Sequence, residues 1–114
     1  MNLEIKAIAF DEALDKSGVV PIRVDIGERD KVGAESFHFF VARPSALTNE
    51  VSNGDFKLLR GYILMADFDI NVVRRSITNL INHARSRETW AEVITFFNRY
   101  GVYDSEDLDE KHFP

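Results

Sequence analysis

The side chains of this chain that could do chemistry are three histidines, His38, His83 and His112, a handful of serines, and a surplus of carboxylates, with no cysteine at all. Without cysteine there is no disulfide, no thiol nucleophile and no thiolate metal site. None of the histidines stands in an HExxH or other metal-ligand spacing, so each reads as a structural or solvated residue, and neither a metal nor a cofactor is expected. Ser36 and Ser76 lack the GxSxG turn that exposes a nucleophile, although a Ser/His/Asp site is assembled in space and not along the chain. Asp67 and Asp69 straddle Phe68 at the end of an apolar run, where a general acid or a metal would have room. The simpler reading is a strand-to-helix turn, with Asp69 as the N-cap and Asp67 as its solvated neighbour. Gly27, Gly33 and Gly54 are too dispersed for a phosphate loop. The residues therefore point away from an enzyme and toward a protein that works by binding.

Charge is the stronger signal. Residues 71 to 101 carry Arg74, Arg75, Arg85, Arg87 and Arg99 against Glu88 and Glu92, whereas 102 to 114 carry Asp104, Glu106, Asp107, Asp109 and Glu110 against Lys111. Those five acids are the candidate partner-binding residues. A solubilising tail has no use for apolar groups, yet Tyr103, Leu108 and Phe113 are interspersed among them. The alternative contact surface is a sheet face bearing Arg23, Asp25, His38 and Phe40. The formal charge of −5 argues against nucleic acid as the direct ligand, because phosphate binding relies on clustered Lys and Arg.

These residues need a scaffold, and 114 residues suffice for one domain, 1–114, with an acidic tail at 102–114. A hydrophobic fraction of 45% and a charged fraction of 29% are those of an ordinary globular protein, and nine Phe promise an aromatic core. Met1 to Lys6 lacks a basic leader and a continuous apolar run, and no segment approaches the roughly 20 apolar residues of a membrane span, so a cytoplasmic protein without membrane contact is expected.

Alternation over residues 3 to 10 predicts a strand with Leu3, Ile5, Ala7 and Ala9 on one face. A second strand places Val20, Ile22, Val24 and Ile26 opposite Pro21, Arg23 and Asp25, with Pro21 at an edge or strand end. Residues 27 to 34 form the tip of a hairpin leading to a third strand, where Phe37, Phe39 and Val41 back onto His38 and Phe40. A short helix over 44–51 precedes the Asn53-Gly54 turn. The apolar run from Gly61 to Phe68 predicts a fourth, central strand.

Asp69 then opens a helix with Ile70, Val73, Ile77, Leu80, Ile81 and Ala84 on one face. Thr89-Trp90-Ala91-Glu92 has the form of a capping box, starting a helix whose apolar face is Trp90, Val93, Ile94, Phe97 and Tyr100, with Gly101 at C′. The class is α+β: a mainly antiparallel four-stranded sheet with two C-terminal helices packed on one face.

The aromatic strand Glu35-Ser36-Phe37-His38-Phe39, the strand around Tyr62-Ile63-Leu64-Met65, the Asp69-led helix, and Thr89-Trp90-Ala91-Glu92-Val93 running to Gly101 together resemble the immunity protein 8 family of bacterial polymorphic toxin systems, over roughly residues 20 to 108. The resemblance implies a small cytoplasmic α+β protein, encoded beside a toxin, that neutralises a cognate toxin C-terminal domain by stoichiometric binding. It carries over no catalytic residues. The stretch Val102 to Asp107 is more acidic and less aromatic than the resemblance leads one to expect. A nuclease is the target class that suits an acidic inhibitor, whose carboxylates can replace phosphate in a basic cleft. A small acidic adaptor or structural protein is the rival class, and a small enzyme a more distant one.

Overall fold

The computed structural model describes residues 1–11, 18–52 and 54–104. Strands β1 (Leu3–Phe10), β2 (Val19–Glu28) and β3 (Glu35–Ala42) form an antiparallel meander, and α1 (Pro44–Glu50), β4 (Tyr62–Leu64), α2 (Ile70–Ala84), α3 (Trp90–Phe97) and β5 (Val102–Tyr103) follow. The class is α+β as expected, but the sheet is mixed and, among the described residues, has five strands. The far edge of β3 is divided: Phe40 to Ala42 pair in parallel with β4, and Phe37 and His38 pair antiparallel with β5.

The run from Gly61 to Phe68 is therefore not a central strand. Only three of its residues are strand, they lie at the sheet edge, and Leu64 is 50% exposed. Helix α1 and the segment after it return the chain to the start of the pairing in the same direction as β3, which makes the pairing parallel. The central strands are β2 and β3. Pro21 is tolerated in β2 because it lies past the last β1 pair, Phe10 with Ile22, where no ladder donor is missing.

One expectation about β1 is corrected by its register. Ile5 pairs with Ile26 and Ala7 with Asp25, so Lys6 is an extra residue, a β-bulge that shifts the phase of the strand. Beyond it Ile8 and Phe10 turn to the core and Ala7 and Ala9 are exposed. The bulge places the larger apolar groups inward. Gly27 makes room for it: a Cβ there would lie 2.9 Å from Lys6 Cε and 2.5 Å from the Gly33 carbonyl oxygen.

The core is the inward face of the sheet against α2 and α3. Val24, Ile26, Phe37, Val73, Ile77, Val93 and Phe97 are fully buried, and among the described residues no polar side chain is buried with them. Trp90, expected in the core, is half-buried at its margin, because it is the first residue of α3. Tyr100, expected on the same apolar face, is 45% exposed, since α3 ends at Phe97 and the chain turns before reaching it. Gly101 has no positive φ; what it supplies is space, since a Cβ would sit 2.7 Å from the ring of buried Phe39. Both helices are capped from the sequence. Asp69 Oδ1 accepts from the Asn71 N–H at 2.9 Å, and Thr89 Oγ1 accepts from the Glu92 N–H at 3.2 Å and donates to the Glu92 carboxylate.

Candidate functional site

Alternation along a strand means that burying Val20, Ile22, Val24 and Phe37, Phe39 sends their neighbours to the opposite face. No partner of α2 or α3 is needed there, and the register composes a polar surface from separate strands. Arg23 lies opposite His38, Asp25 opposite Ser36, and Pro21 opposite Phe40. Strand β5 extends the rows, with Val102 opposite His38 and the Asp104 N–H donating to the Ser36 carbonyl at 2.9 Å.

The side chains are tied together locally. Ser36 Oγ donates to Asp25 Oδ1 at 2.6 Å, Arg23 Nε lies 3.3 Å from the same oxygen, and His38 Nε2 meets Asp104 Oδ1 at 2.5 Å. Both members of the last pair are well exposed, so it orients side chains more than it stabilises the fold. Tyr103, whose register partner is buried Phe37, lies on the inward face beside the core and is held by both its backbone and its side chain. Its N–H donates to Asn98 Oδ1 at 3.1 Å and its hydroxyl to Glu35 Oε2 at 2.5 Å, with the ring centroid 5.4 Å from that of Phe37. At the other end of the face Phe40 stacks on Tyr62, 5.3 Å between centroids, with Lys57 Nζ 5.2 Å from the Tyr62 ring. On β1, Glu4 is held below the ordinary carboxylate range, chiefly by its hydrogen bond from Lys6, with Arg29 adding to it.

Of the five acidic candidates, Asp104 is placed on this face by β5, and Glu106, Asp107, Asp109 and Glu110 lie outside the described residues, as does His112. Arg23, Asp25, His38 and Phe40 are brought together as the alternation predicts. The serine and histidine do not form a nucleophile–base pair: Ser36 is bonded to Asp25 and His38 to Asp104. Asp69 is engaged as a helix cap, and Asp67 lies 3.6 Å from Arg43 across an exposed ion pair. His83 is exposed on α2, and among the described residues no three His, Asp or Glu side chains gather as a metal site would require.

Two features of the surface escaped the sequence reading. Tyr62 joins Phe40 only through the parallel pairing of β4, and Phe56, Leu58 and Leu59 are exposed in a segment with no helix or strand. The available signal was Phe56, Leu58 and Leu59 set among Asp55, Lys57 and Arg60, a stretch between two glycines too short to establish a period of 2 or of 3.6. No curated protein and no solved structure matches the chain. The model of the family described as Immunity protein 8 matches residues 2–108, from the first strand through the polar face, both C-terminal helices and the beginning of the acidic run. The chain belongs to the Immunity protein 8 family.

Proposed function

We propose that this immunity protein acts in the cytoplasm by binding a cognate toxin domain one to one and covering a basic surface on it, the target being a nuclease. The observation that carries the reading is the family match over residues 2–108, which places the chain among immunity proteins. The charge pattern supports the finer part: the carboxylates of Asp104, Glu106, Asp107, Asp109 and Glu110 follow one another after a packed helix, and their first member is fixed on the open sheet face by His38. A nuclease cleft selects for negative charge, and clustered carboxylates meet it with fast, salt-dependent association.

The test is the association rate with the C-terminal domain of the toxin encoded beside the gene, measured at two salt concentrations. Changing the five acids to Asn and Gln should slow association and flatten its salt dependence while thermal stability barely changes. Unchanged rates and affinity would remove the tail as a contact. The face of Arg23, Asp25, His38 and Phe40 would then be the main contact, a second reading favoured by its exposure to solvent. An adaptor would show no binding to that domain at all.

A further inference from the structure

The cations of this chain fall into two groups. Among the described residues Lys6, Arg23, Arg29, Lys31 and Arg43, on the strands or the loops that join them, each have a carboxylate partner. Arg74, Arg75, Arg85, Arg87 and Arg99, on α2 or just past the ends of α2 and α3, have no ion pair among the described residues, and α2 itself carries no carboxylate. Two of these arginines converge. Arg87 and Arg99 line one cleft of about 510 Å³, with Ala91, Glu92 and Thr95 of α3 among its other walls. Its one carboxylate, Glu92, accepts from the Thr89 hydroxyl at 3.2 Å. Arg87 is steadied by Phe96, with its guanidinium carbon 4.6 Å from the ring centroid, and it donates to the His83 carbonyl at 3.4 Å. Arg99 is exposed.

A guanidinium takes a carboxylate bidentately, and the chain has its own supply. The described residues end at Asp104, and the sequence continues through Glu106, Asp107, Leu108, Asp109 and Glu110. That segment begins next to the cleft. Phe97 packs on Phe37, Gly101 lies against Phe39, and Tyr103 is again beside Phe37, so the turn after α3 reverses the chain. The Tyr103 N–H is bonded to the side chain of Asn98, the residue before Arg99. From Asp104, the six residues to Glu110 can span up to about 20 Å, and α3 is about 12 Å long. An exposed Arg–carboxylate pair is worth at most about 1 kcal/mol. Tethering compensates, because a segment joined to its site by a few residues is held at an effective concentration of the order of millimolar, where weak contacts suffice.

We propose that the acidic segment 105–110 docks on its own chain, its carboxylates set against Arg87 and Arg99 in the cleft beside α3. The contact goes beyond toxin binding. The same acids serve both, so a basic partner must displace the arginines before it takes the segment, and the fraction of molecules with the segment free scales the apparent affinity for that partner.

The chain has no cysteine, so His112→Cys carries a single nitroxide spin label, and relaxation enhancement of the backbone amides reads where the segment lies without any toxin. Its failure would therefore leave the immunity reading untouched. At low salt the amides of Ala91, Thr95 and Arg99 should be broadened most. The effect should fall about threefold or more in about 0.5 M salt, where the Debye length is only about 4 Å, and equally in Arg87→Gln/Arg99→Gln at low salt. Thermal unfolding checks that this variant is folded. Changing Glu106, Asp107, Asp109 and Glu110 to Gln and Asn removes the other half of the contact while leaving the cleft intact, and should give the same loss. Enhancement unchanged in both sets of charge variants, or strongest at Arg23 and Ser36 on the open sheet face, would overturn the docking. Enhancement of equal size in a mixture of spin-labelled molecules with separately isotope-labelled ones would assign the segment to a second copy and overturn it as well.

Discussion

Phe97 and Trp90 lie about two helical turns apart on the apolar side of α3, yet their burial differs. Phe97 is fully buried, its ring 5.1 Å from Phe37 and edge-on to Phe96, whereas Trp90 is half-buried at the helix start. Phe97→Ala should cost about 3–5 kcal/mol, and Trp90→Ala only about 1–2 kcal/mol, in urea unfolding. Equal losses would mean that the indole carries more of the core than its exposure implies. Gly101→Ala makes a different demand, because the added methyl meets a Phe39 ring that is itself buried. It should cost about 1–3 kcal/mol, and a double-mutant cycle with Phe39→Leu should be non-additive, the smaller side chain relieving the clash.

Helix ends are the elements most directly written in local sequence, and their caps should behave as independent units. Asp69→Ala and Thr89→Ala remove the acceptors for the Asn71 and Glu92 N–H groups and should each cost about 1 kcal/mol, additively, since they cap different helices. Asp67→Ala, which breaks only an exposed ion pair, should change stability by less than about 0.5 kcal/mol. Strand β5 depends on a side chain outside itself. Asn98→Ala leaves the Tyr103 N–H without its acceptor and should raise amide hydrogen exchange at Tyr103 and Asp104 ahead of the core strands. Exchange at those amides that stayed as slow as in β2 and β3 would show that the pairing with β3 alone holds β5.

On the scale of the whole molecule, the sheet has one face under helices and one that the described residues leave uncovered, and the function proposed for the protein uses the second. Inhibition by such a surface is stoichiometric. Titrating toxin with the protein should give a break at one equivalent, and inhibition complete far below one equivalent would point to turnover instead of binding. Neutralising the acids of 104–110 should leave the thermal midpoint nearly unchanged, because the one of them that is placed, Asp104, contributes an exposed contact.

Sequence by itself determined what depends on neighbours along the chain: the strands of the meander, the short helix after Pro44, the Asp69 and Thr89 caps, and the apolar faces of α2 and α3, whose periods of 2 and 3.6 follow from backbone geometry. The same alternation put Arg23, Asp25, His38 and Phe40 on one face before any pairing was known. The tertiary structure decided what depends on register and crossover. A single bulge at Lys6 exchanged Ala7 and Ala9 for Ile8 and Phe10 in the core. The return of the chain through α1 made β4 a parallel edge strand, and two residues of the segment read as tail became β5. Those pairings are long-range, so no local period encodes them, and they are what seat Tyr62 beside Phe40 and Asp104 beside His38.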